Sequence, residues 1–143
     1  MTDKTKAPIW FWVVGVVALL WNALGVSAYF QQILMSAEQF AALPQVQQEL
    51  LSTQPTWVTA AFAIAVFAGL AASIALLIRK RLAVRLFLVS LLAVIVQFSS
   101  YFIIDGYKEF VAEQGWAMPI LIVIFGVAFF LFARHAEQKG LLN

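Results

Sequence analysis

The sequence contains no cysteine, one histidine and few charged residues, and each shortage excludes a class of function. Without cysteine the chain forms no disulfide, no thiolate metal site and no thiol redox centre. Membrane thiol oxidoreductases of the four-helix kind are therefore excluded. We interpret the single histidine, His135, as a solvated residue and not as a metal ligand, because it lies among charged residues near the end of the chain. We expect neither a metal nor a cofactor.

Apolar residues dominate instead: 64% of the 143 residues are hydrophobic and 11% are charged. A soluble domain of this size carries about 25% charged residues. A soluble fold could not hide so much apolar surface, so the composition indicates an integral membrane protein. The net charge of +2 indicates no nucleic-acid partner, because membrane topology accounts for the positions of the cations.

Four apolar runs are long enough to cross a membrane, since about 20 residues span the hydrocarbon core of ~30 Å. They cover residues 9–30, 57–78, 82–104 and 116–133. We therefore predict an all-α integral membrane protein, a four-helix bundle that forms a single membrane domain over residues 1–143. Val26-Ser27-Ala28 loosely resembles a signal-peptide cleavage site, but the first run is longer than a signal core of ~7–15 residues. We expect it to be a permanent helix.

The segment 31–56 between the first two spans is polar and carries signals for two short helices. Ser36 followed by Gln39 forms a capping box, which starts a helix. Pro44 suits the first turn of a second helix, whose apolar residues Val46, Leu50 and Leu51 fall on one side. We expect a short amphipathic segment at the membrane surface. The remaining connections are a turn at 79–81, a loop at 105–115 and a polar tail at 134–143.

A basic turn between the second and third spans predicts the topology. It holds Arg79, Lys80, Arg81 and Arg85, and eight of the nine Lys and Arg residues fall on its side of the membrane. Loops rich in Lys and Arg stay cytoplasmic. Both termini are therefore expected in the cytoplasm and the two longer loops outside. So strong a bias excludes dual-topology proteins such as small multidrug exporters and fluoride channels.

Within the predicted spans there is no Asp, Glu, Lys or His away from the interfaces. Ion-coupled transport relies on ionisable groups inside the membrane. Hydrolysis and metal catalysis need bases or ligands at depth. The sequence therefore argues against coupled transport, and we expect no enzyme.

Small and polar residues instead follow one face of each of three spans. In the first span, Asn22 shares a face with Gly15, Ala18, Gly25 and Tyr29, because these positions recur at three- and four-residue steps. The third span does the same with Ser90, Ala93, Gln97, Ser100 or Tyr101, and Ile104, and the second offers an alanine face. Such faces allow backbones to approach closely, so we expect them to meet in the bundle.

Asn22 and Gln97 are expected at about the same depth, where two interpretations stay open. As interhelical contacts the two amides would satisfy each other. As a site they would line a polar pocket opening outward, with Gln32 and the candidate residues near its mouth. The candidate ligand-binding residues are Trp21, Asn22, Gln97, Ser100, Tyr101 and Asp105.

Two of these candidates, and the phenylalanines of the fourth span, have more than one interpretation. Asp105 followed by Gly106 is typical of a helix-ending turn. Trp21 could pack against lipid, or it could donate a hydrogen bond inside the bundle. The phenylalanines of the fourth span are most simply lipid-facing or subunit-facing bulk, and a ring-stacking ligand site is the alternative.

Two stretches of the first span are distinctive: Trp10-Phe11-Trp12, and the run from Ala18 to Gly25 that contains Trp21 and Asn22. Further stretches cover residues 42–44, 55–57, 60–69, 76–83 and 90–97. Together they resemble a small bacterial four-helix inner-membrane family whose members often carry the label "sugar transporter". The resemblance implies a bacterial inner (plasma) membrane and points to Trp21, Asn22 and Gln97. DoxX-like and MAPEG-like four-helix proteins are similar in size alone.

Two classes of function follow. The first is a small transport or permeation protein for a neutral polar solute, as the family label implies, with Asn22 and Gln97 in its path. The alternative is a non-transporting membrane protein that binds a lipid or quinone, or an accessory subunit of a larger complex. The expected partners are membrane lipids, with a homo-oligomer or a larger membrane complex also open.

Overall fold

The computed structural model describes residues 6–104, 108, 109, 112 and 115–143. Within them the chain folds into helices and turns. The helices are α1 (Ile9–Ile33), α2 (Ala37–Ala41), α3 (Gln45–Thr53), α4 (Thr56–Leu77), α5 (Leu82–Ile103) and α6 (Ala117–Gln138). The predicted all-α fold with four long apolar helices and a short helical segment after the first is confirmed.

Helices α1, α4, α5 and α6 are each long and apolar enough to cross a membrane. Many of their large apolar side chains, such as Leu20 in α1 and Ile124 in α6, are exposed on the outside of the bundle. An apolar surface this extensive suits hydrocarbon and not water. The chain is therefore described as a multi-pass membrane protein.

Small side chains bring α4 close to its two neighbours. Its buried face includes Ala61, Ala65, Gly69 and Ala72, and α4 packs against both α1 and α5, while α5 also packs against α6. Without a hydrophobic drive between helices in lipid, such small residues allow the backbone contact that holds helices together.

Aromatic side chains join α1 to α6 and complete the ring of four helices. Trp10 lies 5.5 Å from Phe132 and Phe11 lies 6.0 Å from the same ring, while Trp21 lies 4.5 Å from Phe125 (ring centroids). The backbones of α1 and α6 approach each other less closely than those of the other neighbouring helices. Large rings therefore bridge a wider seam here.

Helix α4 ends in a Schellman motif built on an unusual residue. The Lys80 N–H donates to the Ala75 carbonyl and the Arg79 N–H to the Leu76 carbonyl. Arg79 has φ +60°, a conformation that favours glycine and costs other residues roughly 1–2 kcal/mol.

Residues 141–143 fold back onto this turn. Arg79 Nε donates to the Leu141 carbonyl (2.7 Å), and backbone hydrogen bonds join Asn143 to Arg79 (2.7 Å) and Arg81 (2.8 Å). Leu141 and Leu142 are buried. We call this end of the bundle, with residues 78–81 and 139–143, the turn end. The other end, with α2 and α3, is the hairpin end.

Helix α6 continues five residues beyond Ala133, where the predicted fourth span ends. Ala133 and, in the polar extension, Ala136 are buried, while Arg134 and His135 are exposed. Backbone hydrogen bonds maintain a helix without apolar side chains, so the loss of hydropathy after Ala133 marks no helix end.

The segment between α1 and α4 forms locally, as its motifs predict. The Gln39 N–H donates to Ser36 Oγ (3.1 Å) and the Ser36 N–H donates to Gln39 Oε1 (3.0 Å), which confirms the capping box. Pro44 precedes α3 as its N-cap. Gln48 Nε2 donates to the Leu43 carbonyl (2.8 Å) and so ties α3 back to the turn after α2.

Candidate functional site

A cavity of about 640 Å³ lies between the four long helices. Its walls are mainly apolar and aromatic, and the residues that the structure describes in them include no charged side chain. Each helix contributes residues that face inward: Trp21, Asn22, Leu24, Gly25 and Ala28 from α1; Phe62, Ala65 and Val66 from α4; Phe87, Ser90, Val94, Gln97, Phe98 and Tyr101 from α5; and Met118, Pro119, Ile122, Gly126 and Phe129 from α6.

Aromatic rings in contact form the floor of this cavity on the side of the turn end. Trp21 contacts Phe125 (4.5 Å), Phe125 contacts Phe129 (5.7 Å), and Phe129 contacts Phe87 (5.9 Å between ring centroids). The chain of rings runs from α1 across α6 to α5. We call Trp21, Phe125, Phe129 and Phe87 the aromatic floor.

The aromatic floor corrects two interpretations of the sequence. Phe129 of α6 is buried (7% exposed), so the simple expectation that it faces lipid or another subunit is wrong. Phe125, Phe130 and Phe132 are partly buried and pack against the buried core. Trp21 is also partly buried against this core, which favours a place in the bundle over packing against lipid alone. Hydropathy does not separate these cases because the lipid and the bundle interior are both apolar.

Asn22 lies just above the aromatic floor and is tied to two helices. Its Nδ2 donates to the Ala18 carbonyl (2.8 Å) within α1 and to Ser73 Oγ (3.2 Å) in α4. The buried Ser73 hydroxyl donates in turn to the Gly69 carbonyl (2.9 Å). The amide donor of Asn22 is therefore fully used by the protein.

Gly69 and Ser90 complete the polar cluster around Asn22. A Cβ atom on Gly69 would overlap Asn22 Oδ1 and lie 3.1 Å from Ser90 Oγ. The Ser90 hydroxyl donates to the Ala65 carbonyl (2.6 Å) and so joins α5 to α4. Glycine at position 69 thus makes the room in which Asn22 reaches Ser73.

Asn22 and Gln97 do not lie at one depth, contrary to the expectation from their positions in the spans. Asn22 lies level with Ser90, and Gln97 follows Ser90 by seven residues, which is ~10 Å along a helix. The cause is the axial position of α1, since Gly15 packs against Leu77 at the end of α4. Because Ile9 precedes Gly15 by six residues, α1 begins about 9 Å beyond the end of α4. This offset places the amide of Asn22 beside Ser73, with which it pairs.

Gln97 contributes a side-chain amide to the upper cavity, which Tyr101 also lines. Besides its helical backbone hydrogen bonds, Gln97 makes one hydrogen bond to the described residues: its backbone carbonyl accepts from Ser100 Oγ (2.6 Å). Its side-chain amide, with donors and an acceptor, faces the cavity.

The remaining candidate residues differ in whether they line the cavity. Tyr101 lines the cavity and stacks on Phe98 with ring centroids 5.2 Å apart. Ser100 is buried with its hydroxyl on the Gln97 carbonyl and is not among the cavity residues. Asp105 lies outside the described residues, so its predicted place at the mouth has no structural counterpart here.

Gln32 is expected near the mouth of the predicted pocket, but it lines a different cavity. This second cavity of about 430 Å³ lies at the hairpin end, between the end of α1, the short helices and the start of α4. Gln54 Nε2 donates to Thr59 Oγ1 (2.9 Å) at its edge.

Sequence reasoning did not single out Ser73, Ser90 and Gly69 as a cluster. The signals were present, since Gly69 and Ser73 are four residues apart on one helix face and Ser90 shares a face with Gln97. The sequence does not show which residues of neighbouring helices meet.

Comparisons of the chain with protein-family models, with curated proteins and with solved structures found no match.

Proposed function

We propose that this membrane protein binds a lipophilic molecule with one polar group, lipid-like or quinone-like, in the cavity between its four long helices. The main support for this proposal is which of the polar groups that line the cavity already have hydrogen-bond partners in the protein. The donors of Asn22 and Ser90 are used within the protein, at 2.8, 3.2 and 2.6 Å. The Gln97 amide is left to interact with a ligand.

The size and lining of the cavity support this proposal. Small-molecule sites have volumes of about 300–1,000 Å³ and are largely apolar, with a few polar groups that fix orientation. The volume of about 640 Å³ falls inside that range, and rings such as Phe62 and Phe98 supply the apolar wall.

A polar solute such as a sugar is less well supported. Each sugar hydroxyl taken from water needs a partner, and a buried polar group without one costs about 1–3 kcal/mol. The polar groups of Gln97 and Tyr101 in the upper cavity are too few to satisfy the several hydroxyls of a sugar. The geometry therefore favours binding of a lipophile over the transport of a neutral polar solute that the "sugar transporter" label implies.

The affinity should come from packing and from Gln97. A lipophile that leaves the bilayer gains no hydrophobic free energy, because lipid tails are as apolar as the cavity walls. A hydrogen bond to the Gln97 amide contributes about 0.5–1.5 kcal/mol. Gln97 is thus the residue whose removal is most informative.

We also propose that the turn end faces the cytoplasm of a bacterial inner membrane. The basic residues Arg79, Lys80, Arg81 and Arg85 support this orientation, because positive loops stay inside. The hairpin end would then lie on the outer side, together with the upper part of the cavity.

Photolabelling tests the proposal. The purified protein is incubated with a long-chain alcohol that carries a mid-chain diazirine, and labelled peptides are identified by mass spectrometry. We expect label on the α5 peptide around Gln97 and on the α1 peptide around Gly25. Gln97→Leu should lower this labelling about two- to tenfold.

Gln31→Leu is the matched control, because Gln31 is an exposed amide at the end of α1 that bonds to Ser27. Label confined to lipid-facing residues, or equal labelling in both variants, would contradict the proposal. Saturable uptake of a neutral solute into proteoliposomes, above that of empty vesicles, would favour transport.

A further inference from the structure

We propose that the cavity opens sideways into the lipid between α1 and α6, and that its occupant is a single-chain lipophile that enters from the leaflet at the hairpin end. This inference rests on the proposed function, since it concerns the route and shape of the ligand of the same cavity.

Below the cavity, towards the turn end, rings close the α1–α6 seam. Trp10 and Phe11 both contact Phe132, and Trp21 contacts Phe125. Rings at centroid separations of 4.5–6.0 Å are in contact, so this part of the seam admits no alkyl chain.

Above Trp21 the same seam has a different character. Leu24 of α1 is 68% exposed and Met118 of α6 is 58% exposed, yet both also line the cavity. A side chain that faces the outside and the cavity together marks an edge of an opening. The two flexible apolar side chains lie on opposite sides of the seam where the α1 and α6 backbones are further apart.

The other seams are held by close contacts. In the α1–α4 seam, a Cβ on Gly25 would lie 3.1 Å from Val66 Cγ1, and in the α5–α6 seam a Cβ on Gly126 would lie 3.2 Å from Leu91 Cδ1. A side chain at either glycine would be closer to its neighbour than ordinary van der Waals contact allows, so these two seams leave no room beside the glycine backbone. The Ser90 hydroxyl also bonds across the α4–α5 seam. The α1–α6 seam is therefore the preferred opening.

The shape of the cavity suits one chain. Its lining on α5 runs from Phe87 to Tyr101, fourteen residues or ~21 Å at the rise of a helix. Divided over that length, a volume of about 640 Å³ gives a mean cross-section of roughly 30 Å². A mean cross-section of this size suits one hydrocarbon chain or one flat ring better than two chains side by side.

Time-resolved photolabelling in lipid nanodiscs tests this route with the diazirine alcohol as the probe. Labelling of the α5 peptide around Gln97 is followed against the delay between probe addition and the light flash. We expect Leu24→Trp to slow the appearance of label about tenfold, as a modest added barrier does. The double variant Leu24→Ala/Met118→Ala should accelerate it.

Leu20→Trp is the matched control, because Leu20 is an exposed leucine one turn away on α1 that does not line the cavity. It should leave the rate unchanged. Wild-type rates in both Leu24→Trp and the double alanine variant would overturn the lateral opening. The double alanine variant keeps this test valid if the tryptophan variant does not fold.

A second probe tests the shape. A two-chain phosphatidylcholine with a diazirine at the same chain position should label exposed residues of the α5 peptide such as Ile95 and Val96 but leave the cavity residues Gln97 and Val94 unlabelled. Labelling of these cavity residues equal to that by the alcohol would overturn the single-chain assignment. If neither probe labels these cavity residues in the wild type, the proposed function itself fails. If the alcohol labels them at a rate that no variant changes, the cavity still binds the lipophile and the lateral route alone fails.

Discussion

The side-chain amide of Asn22 in α1 donates to the hydroxyl of Ser73 in α4 (3.2 Å), and that hydroxyl donates to the Gly69 carbonyl (2.9 Å). This arrangement satisfies a polar side chain that would otherwise cost several kcal/mol in the membrane. It also fixes the height of α1 against α4. The polar cluster is therefore a structural support directly beside the cavity.

Gly69→Ala should destabilise the bundle. The new Cβ would overlap Asn22 Oδ1, and overpacking of this kind costs about 1–3 kcal/mol. Thermal unfolding in detergent, followed by circular dichroism, measures the loss. Gly126→Ala is the control, because its Cβ would meet the movable end of Leu91 at 3.2 Å and should change stability little. Equal effects of the two substitutions would contradict the assigned packing.

Asn22→Ala should remove the penalty of Gly69→Ala. The single substitution breaks a hydrogen bond between helices, worth about 0.6–1.7 kcal/mol in membranes. In its presence the alanine at position 69 has room, so the double variant should be more stable than the sum of the two single effects implies, by about 1–3 kcal/mol. A double-mutant cycle on unfolding free energies checks this coupling, and additivity would contradict it.

Arg79→Gly should be more stable than Arg79→Ala by about 1 kcal/mol, because glycine adopts φ +60° without strain. Both variants lose the hydrogen bond from Arg79 Nε to Leu141, so their difference isolates the backbone. At Arg85, within α5, the order should reverse, since glycine costs about 1 kcal/mol against alanine in a helix. The same order at both positions would contradict the left-handed turn.

A cysteine at position 97 should react with a lipid-soluble maleimide and only slowly with a charged, water-soluble one. The reason is the apolar lining around Gln97 and the opening towards lipid. Native cysteine is absent, so Gln97→Cys gives a clean signal by mass shift. Gln47→Cys on α3 should react rapidly with both reagents. Rapid reaction of Gln97→Cys with the charged reagent would instead indicate a wet path and favour polar-solute transport.

Cysteines can also test the orientation in whole cells. Lys80→Cys in the basic turn should resist a membrane-impermeant thiol reagent until the cells are broken, and Gln47→Cys should react in intact cells. The expectation follows from the excess of Lys and Arg on the side of the turn end. The opposite pattern would reverse the topology and place the upper cavity on the cytoplasmic side.

Local rules made much of the fold predictable. A membrane span requires a long apolar run, so the approximate starts of α1, α4 and α5 follow from hydropathy. The capping box at Ser36 acts over three residues and needs no tertiary information. Likewise the period of Gly15, Ala18 and Asn22 identifies the face of α1 that turns inward.

What could not be predicted depends on relations between helices. An apolar run specifies the length of a helix but not its height, so the partner of Asn22 could not be inferred. Phe129 is buried in the bundle, although lipid would suit it equally well. The docking of residues 141–143 depends largely on backbone hydrogen bonds, and its side-chain contributions form no recognisable sequence pattern.

The aromatic floor also bears on the barrier that the bundle presents to ions. Its rings lie in contact between the cavity and the turn end, and an aromatic hydrocarbon surface offers water and ions no hydrogen-bond partner. If the cavity holds a lipophile as proposed, exchange of that lipophile with the bilayer would therefore open no polar path across the membrane.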